Sequence, residues 1–101
     1  MPTDSEQRQP CWWIYLVRCA DGTLYTGIAK DVQARLHGHN RGVGAKYTRG
    51  RTPVELVYRE RAASRSAALR REHKIKRLSR RQKCRMIAHY QQQQALTNIP
   101  G

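Results

Sequence analysis

The stretch WIYLVRCADGTLYTGIAKDVQARLHGH, Trp13 to His39, decides the fold. From Cys11 to Cys19 the residues are nearly all apolar, the pattern of a central strand covered on both faces. Asp21-Gly22 marks a tight turn, and Leu24 to Ile28 reads as the returning strand of a hairpin. Loop length then matters, because a one-residue slip in register turns every side chain to the other face. With Asp21-Gly22 alone in the loop, Tyr25 falls opposite Arg18 and points away from Tyr15. With Ala20-Asp21-Gly22, a type I turn closed by Gly22 as a left-handed G1 bulge, Tyr25 falls opposite Val17 and shares the face of Tyr15. The three-residue loop is expected. Asp31 is a good N-cap for a following helix, with Val32, Ala34 and Leu36 on part of its apolar side. Arg35 and His39 lie four residues apart and so stack on one face of that helix. Tyr15, Tyr25, Arg35 and His39 are therefore placed to converge.

Outward from this stretch, the segment Asn40 to Pro53 is rich in glycine and carries four basic residues, so it reads as a flexible, positively charged loop or an ordinary connector. Val54 to Glu60 alternates enough to be a third strand. Ser64 caps a second helix running toward Lys76, in which Ala68, Glu72 and Ile75 fall at i, i+4 and i+7. Glu72 thus sits within the small apolar stripe and faces the protein body. An inward carboxylate needs a metal ion, an arginine or hydrogen bonds, the simpler alternative being a surface i,i+4 pair with Lys76. Ser79 to Gln82 has the form of a capping box and starts a third helix with Met86, Ile87 and Tyr90 on its apolar side. The elements expected along the chain are α+β in the order β-β-α-β-α-α. Residues 11–94 form one domain, 1–10 a disordered N-terminal tail and 95–101 a flexible C-terminal tail.

Composition narrows the function. A chain of 101 residues with 39% hydrophobic content supports one modest core. Its formal net charge is +13, and the segment from Arg41 to Arg85 holds 16 of the 20 basic residues but only three of the seven acidic ones. That segment carries the whole excess and the remainder is neutral. Cations gathered along one path point to a nucleic acid, DNA ahead of RNA, with Lys30, Arg41, Lys46, Arg49, Arg51, Lys74 and Lys76 as candidate phosphate contacts. A solvated basic surface is the plainer alternative. A membrane-surface helix is disfavoured, because the basic helices lack a broad Leu, Phe and Trp face. Three cysteines, Cys11, Cys19 and Cys84, without CxxC or Cys/His spacing give neither a disulfide framework nor a zinc site. With no signal-like or membrane-spanning run, a cytoplasmic protein, monomeric by default, is expected.

Phosphodiester hydrolysis needs an activated water, neutralisation of charge on the phosphorus oxygens, and stabilisation of the leaving oxygen. Glu72 can hold one Mg²⁺, or Mn²⁺ in its place, and Arg35 can grip a phosphate through its fork of donors. A tyrosine can position or deprotonate water, although a free phenol near 10 is a poor base at neutral pH. Strand tyrosines also serve simply as packing residues.

Trp13-Ile14-Tyr15 and Tyr25-Thr26-Gly27 resemble the paired GIY and YIG elements of the GIY-YIG nuclease superfamily, and DVQARLHGHN resembles its helix bearing an arginine and a histidine. The late ALRREHKIKRLSRRQK segment is similar to that of small single-domain bacterial members, and the likeness covers Trp12 to about Tyr90. The resemblance implies a small three-stranded antiparallel β-sheet flanked by helices, and a metal-dependent endonuclease cutting DNA, in repair or processing. It assigns Tyr15 and Tyr25 as the motif tyrosines, one of them the general base. Arg35 then becomes the phosphate-binding arginine, His39 the family histidine and Glu72 the metal ligand. Gly27 matches the motif glycine, expected to keep the substrate or the helix start uncrowded. Trp13 stands where the motif has glycine and Thr26 where it has isoleucine. Ile28 replaces the lysine of the excinuclease branch, whose late asparagine has no clear counterpart here. No element for reading bases is evident, so low sequence specificity is expected. A protein that binds nucleic acid on the same scaffold with little or no cleavage is the alternative.

Overall fold

A computed structural model describes residues 11–97. The tail assigned to residues 1–10 and the last part of the one assigned to 95–101 lie outside these residues. Strand β1 (Trp12–Arg18) is central, flanked by β2 (Leu24–Ala29) and β3 (Glu55–Ala62), both antiparallel to it. Helix α1 (Val32–Asn40) follows β2, while α2 (Arg65–Lys76) and α3 (Arg80–Thr97) follow β3. The order is β-β-α-β-α-α, as expected.

The alternation of β1 feeds two apolar layers. Ile14 and Leu16 pack with Val57, Ala68, Ile75 and Ile87 beneath α2 and α3. Tyr15 and Val17 pack with Cys19, Ala29, Val32 and Val54 on the opposite face, where α1 lies. A central strand can supply both layers only if it is apolar throughout, which is why this run lacks the polar alternation of a one-sided strand. β3 reaches the same end differently. The register slips between Leu16↔Tyr58 and Val17↔Leu56, leaving Val57 as a bulge. Val57 and Tyr58 then serve the same layer, against the simple alternation expected of VELVYRE.

The hairpin has the three-residue loop. Cys19 N–H donates to the Thr23 carbonyl at 2.8 Å, and Gly22 N–H donates to the Cys19 carbonyl at 2.9 Å. Gly22 has φ of +86°, and Tyr25 pairs with Val17. Asp21 accepts from both the backbone and the hydroxyl of Thr23, which holds its carboxyl below the usual carboxylate range. The helix starts are equally local. Asp31 accepts from Ala34 N–H and Ser64 from Ala67 N–H, while Ser79 and Gln82 exchange both bonds of a capping box.

Two expectations change. Helix α3 continues through Thr97, past the boundary placed at Gln94, because Gln, Ala and Leu are good helix formers and nothing in QQQQALT breaks the turn. The segment after α1 is anchored at several points. Asn40 brackets Val54, accepting its N–H at 2.7 Å and donating to its carbonyl at 3.2 Å. A short 3₁₀ turn, Lys46–Thr48, forms between these ends and buries Thr48 completely. Ala20 N–H donates to the Arg51 carbonyl, and the Arg51 guanidinium pairs with Asp21 at 2.9 Å, which fastens the loop to the hairpin.

A Cβ at Gly22 would meet no atom within 4 Å, so the cost of a side chain there is purely conformational. Gly22→Ala is expected to lower unfolding free energy by about 1–2 kcal/mol, the left-handed penalty for an L-residue. Urea denaturation checks this, and an unchanged midpoint would remove the G1 bulge as the source of register.

Candidate active site

Four of the five expected catalytic and metal-binding residues come from the opening stretch, and they meet on the α1 face of the sheet. Tyr15 is 1% exposed and its hydroxyl lies 2.8 Å from Nε2 of His39, itself 1% exposed. The Tyr25 ring is 6.4 Å from that of Tyr15 and edge-on to His39 at 5.5 Å. Burial pushes the Tyr15 phenol up to about 12, while the Arg35 guanidinium pulls against that rise and the charges of Tyr25 and Glu72 add to it. Arg35, on α1, and Glu72, on α2, therefore both act electrostatically on Tyr15. Arg35 remains exposed to solvent.

The remaining polar contacts of His39 define its role. Thr48 Oγ lies 2.8 Å from the Ala45 carbonyl and 2.9 Å from His39 Nδ1. A carbonyl only accepts, so the single hydroxyl proton of Thr48 goes to Ala45, and Nδ1–H donates to Thr48. Nε2 is then the lone-pair nitrogen, and the Tyr15 hydroxyl donates to it. This tautomer is assigned from the network. The Ala45 N–H, 3.4 Å from Nδ1, favours the other tautomer through a longer and weaker contact. Burial, with the Arg35 charge second, pulls the His39 pKa below 6.5, consistent with a neutral acceptor.

Two glycines make room for this pair. Gly27 stands opposite Tyr15 on β2, and a Cβ there would lie 2.6 Å from the Tyr15 hydroxyl and 2.8 Å from its Cζ. The crowding thus falls on the first tyrosine itself, a different reason from the substrate or helix start expected from sequence. A Cβ on Gly44 would collide with His39 Nδ1 and come within 2.8 Å of its Cα.

Glu72 lies between the fully buried Ala68 and Ile75, with its side chain 16% exposed. It also contacts Lys76 at 3.2 Å, so the inward orientation and the i,i+4 pair hold together. Among the described residues no group of three His, Cys, Asp or Glu side chains is arranged to hold a metal ion. The donor set fits Mg²⁺, which keeps most of its waters and takes one or two carboxylates plus phosphate oxygens, better than Zn²⁺.

Residues 11–85 match the GIY-YIG catalytic domain. The chain belongs to the GIY-YIG family. A UPF0213 protein of Staphylococcus aureus (strain N315) is 56% identical over 75 residues, spanning 74% of this chain and 92% of the relative. A UPF0213 protein of strain Mu50 matches to the same extent. Among solved structures, the solution NMR structure of the UPF0213 protein BH0048 from Bacillus halodurans is 42% identical. It covers 77% of this chain and 83% of that chain, with a TM-score of 0.51. The GIY-YIG domain carries a nuclease-type function acting on nucleic acid in general.

Of the candidate phosphate contacts, Lys30, Arg41, Lys46, Arg49 and Lys74 are exposed. Arg51 differs: its Nε pairs with Asp21 and its Nη1 donates to the Tyr47 carbonyl, so it holds structure together. Lys76 is shared with Glu72. Sequence reasoning missed Gly44, Thr48 and Tyr47, whose ring stacks on Tyr25 at 5.7 Å and 25° and carries the Arg51 guanidinium at 4.3 Å. Each lies in the loop after α1, where no periodic pattern signals a partner. The glycine and threonine spacing around His39 was the available clue.

A depressed His39 pKa means that the unfolded chain takes up a proton before the folded one as pH falls through 6.5. Stability is therefore expected to drop with falling pH from about 6.5 until the folded pKa is reached, and to be flat in this respect above. Denaturant titrations at a series of pH values should show that His39→Gln removes this component of the slope, whatever it does to the absolute stability. An unaltered slope would place the titrating group elsewhere.

Proposed function

We propose that the protein is a divalent-metal-dependent endonuclease that hydrolyses phosphodiester bonds in DNA with low sequence specificity. What supports this most directly is the meeting of Tyr15, Tyr25 and His39 on the α1 face of the sheet, with the exposed Arg35 on the same helix as His39 and with Arg35 and Glu72 both acting electrostatically on Tyr15. Hydrolysis requires a cation on the phosphate and a carboxylate able to carry a metal, and Arg35 and Glu72 are groups of these two kinds.

Roles follow from exposure. Arg35, at the surface, binds the scissile phosphate with its paired donors. Glu72 is the residue that would hold Mg²⁺, which when bound supplies positive charge to the phosphoryl oxygens. Tyr15 has its hydroxyl committed to His39 and almost no surface, so it is a positioning residue. Tyr25 is only partly buried and is the tyrosine that can meet and orient the attacking water. The Tyr15–His39–Thr48 chain holds both rings and the C-terminal turn of α1 against the sheet. Lys30, Arg41, Lys46, Arg49 and Lys74 bind flanking phosphates without reading bases.

The decisive experiment incubates wild type, Glu72→Ala and Arg35→Ala with duplex, nicked, branched and single-stranded DNA and with RNA, in Mg²⁺, Mn²⁺ or EDTA. Wild type is expected to cut with metal and not with EDTA. Glu72→Ala should be inactive, and Arg35→Ala slower by roughly 10²–10³-fold, the usual loss of one donor to a developing oxyanion. A wild type that binds but cuts nothing leaves a nucleic-acid-binding protein on the same scaffold. The tyrosines separate in a second measurement. Tyr25→Phe is expected to lower the cleavage rate by roughly 10²-fold at unchanged stability and DNA affinity. Tyr15→Phe should also lose about 1 kcal/mol of stability with its buried hydrogen bond. Equal stability losses would contradict the division of roles.

A further inference from the structure

Beside the catalytic groups lies a cleft of about 390 Å³ that the proposed hydrolysis does not use. Trp12, Ile28 and Ala29 from the sheet, Ala34 and Gly38 from α1, and Val43 and Gly44 from the following loop form most of its wall. The small residues on the helix side leave a largely apolar slot, with Trp12, whose ring carries Lys30 and Arg65, on its sheet side. Its charged margin is formed by Lys30, Asp31 and Arg35. Asp31 already accepts from Ala34 N–H as the helix cap. Lys30 places its ammonium 5.4 Å from the Trp12 ring centre, and Val43 is 69% exposed at the rim.

We infer that this cleft receives one unpaired nucleobase of the bound strand, next to the phosphate gripped by Arg35. The inference rests on the phosphate-binding role proposed for Arg35 and extends it to the substrate class. Three observations favour a base as occupant. Arg35 lines both the cleft and the catalytic group, so a nucleotide whose phosphate sits on Arg35 has its base within reach of the slot. The slot is apolar and partly aromatic, which suits a flat π surface, while the cationic margin suits the attached phosphate. The volume lies in the range of small-ligand sites, large enough for a nucleobase with part of its sugar and far too small for a duplex. A base in a perfect duplex is stacked on both sides and cannot enter without being extruded. The preferred strand is therefore one with an unpaired nucleotide at the cut, as in a single strand, a flap or a bulge. DNA and RNA share this chemistry.

The test is binding without metal, so that it does not depend on cleavage. In EDTA, wild-type protein is titrated with oligothymidylate of about 12 nucleotides, the matching oligouridylate, an abasic phosphate–sugar strand of equal length and a blunt duplex. Tryptophan fluorescence and anisotropy are both read. The base-bearing single strands, at least one of the DNA and RNA forms, are expected to bind roughly tenfold tighter than the abasic strand and to quench tryptophan. The abasic strand and the duplex should bind through phosphates with little quenching. Ala34 is exposed on α1 and takes no part in the catalytic group, so Ala34→Leu fills the slot without unfolding the helix. It should abolish the preference for base-bearing strands and the quench while leaving abasic binding unchanged; Val43→Asp at the rim should act in the same direction. Equal affinity for abasic and base-bearing strands, or a preference that survives Ala34→Leu, overturns the inference. Failure of the nuclease reading would show separately, as absent metal-dependent cleavage.

Discussion

The hydrogen bond between the Tyr15 hydroxyl and His39 Nε2 is the contact around which the α1 side of the molecule is arranged. Both groups are essentially without solvent, so an unmatched donor or acceptor would carry its full desolvation cost, on the order of 1–3 kcal/mol. Satisfying them places demands on four other residues. Gly27 has to lack a side chain so that Tyr15 can lie across β2, and Gly44 has to lack one so that the loop can close over His39. Thr48 has to reach Nδ1, and Ala45 has to accept the proton of Thr48. No buried side-chain polar atom is left without a partner among the described residues. A candidate site histidine and a fold constraint are here the same residue.

This dependence explains why the hairpin and helix starts were legible in the sequence and the loop was not. The register of β1 and β2 follows from a local rule about Gly22 and the left-handed region, and the caps at Asp31, Ser64 and Ser79 need only three or four residues to be recognised. The inward placement of Glu72 follows from helical period. The roles of Thr48 and Gly44 depend on where His39 ends up in space, which no pattern within the loop encodes. At Gly27 the neighbour that a side chain would meet is Tyr15, its cross-strand partner, because the register that places Tyr25 opposite Val17 also places Gly27 opposite Tyr15. The structural partners of Arg51 were hidden for a related reason. A basic residue in a glycine-rich loop looks like a phosphate contact until its partner Asp21, thirty positions away, is known.

The cations of the chain therefore divide by commitment. Arg51 with Asp21, Arg71 with Glu60 and Arg80 with the Gly22 carbonyl tie distant segments of the chain to one another. Glu60 also accepts from Tyr58, whose phenol burial and this carboxylate push up to about 12, so the β3–α2 junction carries a second polar cluster unrelated to the catalytic one. With only seven acidic residues in the chain, most of the positive charge has no internal counterion. Such an excess disfavours the compact state through self-repulsion and is relieved when a polyanion binds.

The position of Glu72 shows how this surplus reaches the catalytic group. Its carboxylate is held between buried neighbours on the helix that also presents Lys74 and Lys76, and Lys76 neutralises it in the absence of metal. A divalent ion held by Glu72, as proposed, would therefore compete with an ammonium that is half exposed and would have phosphates as an alternative partner. Binding a polyanion offers Lys76 that alternative and lowers the energetic cost of releasing Glu72. Under the proposed function, metal binding and nucleic-acid binding at this site would thus be coupled in the favourable direction, and by linkage each would strengthen the other by the same factor.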